Sequence, residues 1–171
     1  MARVMAPRDN GFGGRLVPFL STLFFVLVSV VPLQIPGFAA VTPTFALMAV
    51  FHWTIYRPDL LPNAAVFVLG LLLDLLNGSP YLGVSALMLL VARTAVMAAR
   101  RYFADASFAA LWLGFLALAC GIFAFAWALV SALRGEVLGT RPFLFEAVLT
   151  VACYPVGSWL LVRLHRALVR A

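Results

Sequence analysis

Residues 62–83 read PNAAVFVLGLLLDLLNGSPYLG, an apolar run broken by a single carboxylate, Asp74, and followed by a loop after Asn77. Insertion scales put the cost of an acid at the bilayer centre at roughly 2.5–3.5 kcal/mol, so such a residue needs a compensating contact. At 1.5 Å per residue, Asp74 lies roughly 18 Å from the helix start near Pro62, past the midplane and close to the helix C-terminus. The partial negative charge of that terminus disfavours a second anion, so Asp74 is expected to be protonated or paired with a donor. Gly70, Asp74, Asn77 and Gly78 share one face, a narrow polar stripe suited to close packing.

The rest of the chain has the same character. With 65% hydrophobic and 11% charged residues over 171 positions, and a mean hydropathy of +1.08, the apolar surface exceeds what a soluble domain of this size can hide. The composition implies an integral membrane protein. Apolar runs at 16–33, 41–56, 62–77, 81–99, 108–133 and 143–163 predict an all-α, polytopic bundle of about six transmembrane helices in one domain. Residues 1–15 form an N-terminal segment and 164–171 a tail. The second and third runs are short for full spans, which leaves open five spans with one re-entrant or tilted hairpin. Continuous apolar runs, without dyad alternation, exclude a β-barrel.

All twelve basic residues are arginine. Six spans with a cytoplasmic N-terminus place ten of them, Arg3, Arg8, Arg15, Arg57, Arg93, Arg100, Arg101, Arg163, Arg166 and Arg170, on or near the inside. Only Arg134 and Arg141 fall outside. This asymmetry predicts cytoplasmic termini, and it assigns the basic balance to topology and membrane lipids rather than nucleic acid. His52, Trp53 and Tyr56 beside Arg57 read as an interfacial belt, with His52 structural. The first run imitates a secretory signal with small residues near Gly37 and Ala39, but its apolar core is long for one, and an uncleaved anchor is expected.

No phosphate-binding loop, HExxH or GxSxG occurs, and Cys120 and Cys153 lack metal-ligand spacing. With two histidines and six acids in the chain, a conventional catalytic site, a metal site or a cofactor is not expected. Packing is more legible. Ala110, Gly114, Ala117, Gly121, Ala124 and Ala128 fall on one face of the fifth span, where small side chains let another backbone approach. Either a neighbouring helix of the bundle or a partner's transmembrane helix fits that seam. Pro155, with Gly157 and Ser158, predicts a kink in the sixth span. For Asp74, two arginines are within reach: Arg93, only roughly 6 Å away in depth, and Arg141 at the outer rim. Arg93 also has the option of snorkelling to the inner headgroups. Glu146, in the first turn of the sixth span, is either a structural N-terminal acid or a recognition residue.

The segment GLLLDLLNGSPYLG, with FHWTIYRPDL at the end of the second span and YPVGSWLLVRLHRAL near the C-terminus, resembles the MreD family of bacterial rod shape-determining membrane proteins. The resemblance extends over nearly the whole chain. It implies an inner-membrane, non-enzymatic partner of MreC in the cell-wall elongation machinery. That machinery also includes MreB, a RodA-type glycosyltransferase and a class B penicillin-binding protein. The family is in turn similar in outline to the six-helix substrate-binding subunits of energy-coupling-factor transporters. A small-molecule pocket around Asp74, lined by Asn77, Ser79, Ser85 and Arg93, is therefore the alternative function.

Overall fold

A computed structural model describes residues 12–30, 43–103 and 106–169. The segments carrying Arg3, Arg8 and Arg170, and the signal-like site near Gly37 and Ala39, lie outside the described residues. Within these limits the chain is all-α, with six helices: α1 (Phe12–Ser29), α2 (Phe45–Tyr56), α3 (Asn63–Leu76), α4 (Val84–Phe103), α5 (Phe108–Arg134) and α6 (Arg141–Val169). A single 3₁₀ turn, Pro58–Leu60, joins α2 to α3. Helices α5 and α6 are long and apolar enough to cross a membrane, whereas the apolar stretches Val17–Ser29, Phe45–Tyr56 and Asn63–Leu76 are shorter.

The short second run has a physical explanation. FALMAVFHWTIY is apolar on every side, and every residue from Ala46 to Ile55 is buried, as expected of a helix enclosed by others. Helix α2 is the axis of the bundle, packed against α1, α4 and α6. Phe51 projects from it into an aromatic cluster, 5.8 Å from Phe103, 5.3 Å from Phe115 and 6.0 Å from Tyr154, with Phe115 and Tyr154 stacked at 4.4 Å. Helices α2, α4, α5 and α6 thus meet at one point. The interfacial reading of Trp53 is corrected by this enclosure: the indole is 1% exposed and donates to Ser21 Oγ of α1 at 2.8 Å. His52 is buried as well, against the rings of Trp53 and Tyr56.

A buried helix end needs partners for its free N–H groups, and α2 takes them from its neighbours. Ala46 N–H donates to Ser29 Oγ of α1, and Thr44 N–H donates to Thr150 Oγ1 of α6. At the opposite end Arg93 and Arg100, both on α4, reach across to backbone carbonyls around the α2–α3 connection. Arg100 Nε donates to Ile55 O. Arg93 donates to Leu61 O, Pro58 O and the Asn63 side chain.

Pro155 lies inside α6, which continues on both sides of it. Proline has no N–H for the carbonyl four residues back, here Val151. That oxygen accepts from the indole N–H of Trp112 on α5 at 3.4 Å, so the defect in one helix becomes a tie to the next.

Candidate functional site

Asp74 stands at the hinge of the α3–α4 hairpin. Helix α3 ends in a Schellman closure: Ser79 N–H donates to Asp74 O and Gly78 N–H to Leu75 O, with Gly78 at φ +61°, the left-handed conformation that glycine adopts without strain. The chain then turns through residues 79–83, and α4 begins directly beside Asp74. The carboxylate accepts from Gly83 N–H at 2.8 Å and from Ser85 N–H at 3.1 Å. Gly83, at φ +101°, turns its N–H inward where an L side chain is strained. An acid near the C-terminus of one helix is therefore compensated by the positive N-terminal end of the next. The carboxylate itself is 1% exposed.

This geometry corrects the expected Asp74–Arg93 and Asp74–Arg141 pairings. Because α4 starts at Val84 rather than 81, Asp74 is level with the first turn of α4. Arg93 is two turns further on, roughly 12 Å away along the axis and level with the start of α3, where it holds the α2–α3 connection. Arg141 is exposed at the start of α6. The polar stripe divides as well. Gly70 and Asp74 are buried, whereas Asn77 and Gly78 are exposed. At Gly70 the hairpin is at its tightest, since an added Cβ lies 2.3 Å from Ala86 Cα.

A cavity of about 480 Å³ opens at this end of the bundle. The chain ends and turns remote from Arg57, Arg93, Arg100 and Arg163 form its walls: the end of α1, the start of α2, the α3–α4 hairpin, the last turns of α5 and the start of α6. Its polar lining consists of Ser29, Thr44, Asp74, Asn77, Ser79, Ser85 and Glu146. Three of the four residues expected there, Asn77, Ser79 and Ser85, line it, and Arg93 does not. Glu146 is corrected in register: α6 begins at Arg141, which places Glu146 in the second turn, where its Oε1 accepts from Thr44 Oγ1 at 2.6 Å. Ser29, Thr44 and Thr150 carry no local signal of this role, because the contacts linking Thr44 to α6 span more than a hundred residues.

The small-residue seam of α5 faces away from the bundle. Leu111, Phe115, Ala119, Ile122, Phe123 and Ala126 form the buried face, whereas Ala110, Ala117, Gly121, Ala124 and Ala128 are exposed. Gly114 alone in the seam is covered, by the Phe103 ring, which comes within 2.4 Å of an added Cβ. At Gly121 nothing lies within 4 Å of that position. Packing within the bundle therefore accounts for Gly114 and not for the rest of the seam.

Among the described residues no group of three or more His, Cys, Asp or Glu is placed to hold a metal ion. No curated protein and no solved structure matches the chain significantly. A family model described as rod shape-determining protein MreD matches residues 12–156. That match takes in α1 to α5 and the first half of α6, including the Asp74 hairpin and every wall of the cavity, and the chain accordingly belongs to the MreD family of rod shape-determining membrane proteins.

Proposed function

We propose that the chain is a non-enzymatic component of the cell-wall elongation machinery of the bacterial inner membrane, with both termini cytoplasmic. Its direct partner is MreC, whose transmembrane helix lies along the outward face of α5. MreB, a RodA-type glycosyltransferase and a class B penicillin-binding protein belong to the wider complex, and the pairing supports lateral peptidoglycan synthesis and rod shape.

The observation that carries this reading is the outward seam of Ala117, Gly121, Ala124 and Ala128, open at Gly121, in a member of a rod-shape family. In lipid there is no hydrophobic drive between helices, so close backbone approach over small residues supplies the attraction. Gly121→Leu or Ala117→Leu is expected to lower co-purification of MreC severalfold while leaving the folded yield of the chain unchanged. Full recovery of MreC with both variants removes α5 from the interface.

The cavity favours a second reading, a small-molecule binding subunit of a membrane transporter with its pocket near Asp74. Its volume lies within the range of ligand sites. Against this reading, both Asp74 oxygens already accept backbone N–H groups, which leaves Glu146 as the acid most available to a ligand. A stoichiometric small molecule that co-purifies with the chain and is lost on Glu146→Gln favours this reading over the first.

A further inference from the structure

A second opening lies at the arginine-bearing end of the bundle. It is a cleft of about 330 Å³ between the C-terminal half of α2, the start of α5 and the stretch of α6 from Tyr154 to Val162. Its walls are almost wholly apolar or aromatic, among them Ile55, Tyr56, Phe108, Leu111, Trp159 and Val162. No acidic side chain lines it. On its α6 wall the Ser158 hydroxyl is engaged with Pro155 O, and Tyr154 stacks on Phe115. At the mouth the Arg163 guanidinium lies over the Trp159 ring at 4.6 Å, and both side chains are exposed. Stacking uses the face of a guanidinium and leaves its edge N–H donors pointing outward in the plane. No described side chain or carbonyl accepts from them.

We propose that this cleft is a binding site for an anionic glycerophospholipid, with one acyl chain between α2 and α6 and the phosphate on Arg163. Charge complementarity selects this occupant. A partner's transmembrane helix brings apolar side chains to the cleft but nothing for a fixed guanidinium, whereas a phosphodiester takes two parallel N–H bonds from it. Arg57, Arg100 and Arg101 share the same end of the bundle, at the ends of α2 and α4. They add to the attraction that basic clusters at a membrane surface exert on anionic headgroups. Tyr56 and Trp159 at the rim have the amphipathic character of headgroup-level aromatics. The proposal rests on the membrane location that the family supplies and is independent of the partner helix on α5, which occupies a different face.

Native mass spectrometry of the purified chain, after exchange into phosphatidylglycerol or phosphatidylcholine, tests the site. The wild type is expected to retain phosphatidylglycerol about fivefold more than phosphatidylcholine, the factor associated with one arginine at an anionic surface. Arg163→Gln is expected to remove most of that preference and to lower phosphatidylcholine retention as well, because both lipids carry the phosphodiester that the guanidinium binds, and Arg163→Lys, which keeps the charge but not the planar fork, to retain part of it. Equal retention of the two lipids by the wild type overturns the proposal. So does an unaltered preference in Arg163→Gln, or loss of the bound lipid when the chain is purified with its membrane partners, which identifies a protein helix as the occupant.

Discussion

Asp74 has the role of a cap, and its chemistry distinguishes it from a site acid. A buried carboxylate accepting two backbone N–H groups contributes on both sides: it satisfies two half-buried donors at the start of α4, and it offsets the charge mismatch at the end of α3. Asp74→Leu leaves Gly83 N–H and Ser85 N–H without this acceptor and is expected to destabilise the protein in detergent by about 1–3 kcal/mol, given the cost of lost acceptors at half-buried donors. Asp74→Asn keeps one acceptor oxygen and is expected to lose less than half of that. Thermal unfolding monitored by intrinsic fluorescence checks the order, and equal midpoints for all three proteins contradict the capping role. The same order is expected in cell shape, with the leucine variant the rounder.

At the level of elements, the six apolar runs are legible because hydropathy and length suffice to find them, and each run corresponds to one helix, although α6 extends to Val169, six residues past the apolar run. Burial of α2 follows from the same pattern, since FALMAVFHWTIY has no polar face, although the surface tryptophan reading overlooks it. The partner of Asp74 is not legible to a search for opposite charge, because the compensating group is the backbone at the start of the next helix, from Gly83 to Ser85. The Thr44–Glu146 and Thr44–Thr150 contacts lie beyond any local pattern, for only the assembled bundle brings α2 and α6 together. The tie between Trp112 and Val151 is the element-scale feature most open to a test. Trp112→Phe is expected to cost about 0.5–1 kcal/mol, as for a single weak hydrogen bond. In a Pro155→Ala background, where α6 recovers its own bond to Val151 O, the cost is expected to shrink toward zero. A double-mutant cycle by chemical unfolding measures the difference, and identical costs in the two backgrounds separate the indole contact from the proline.

For the whole molecule, the two ends are chemically unlike. One carries Arg57, Arg100, Arg101 and Arg163 near the apolar cleft, and the other carries the cavity with Glu146 and the Asp74 hairpin, with only Arg134 and Arg141 of the described arginines at that end. In the orientation proposed above, the arginines face the cytoplasm and the cavity lies outside. In intact cells expressing a variant with both native cysteines replaced by serine, Ser79→Cys is expected to react with a membrane-impermeant maleimide. Tyr102→Cys is expected to react only after the inner membrane is opened. The reverse labelling inverts the orientation. Enclosure of α2 also bears on the order in which the molecule is built. Twelve residues reach about 18 Å, short of a bilayer core, and the N-terminal donors of α2 are satisfied by Ser29, made before it, and by Thr150, made near the end of synthesis. The second helix to be synthesised is thus among the last to be secured. Until α6 is in place, Thr44 N–H lacks the acceptor that Thr150 supplies, so the capping of the second helix is complete only when the last has joined the bundle.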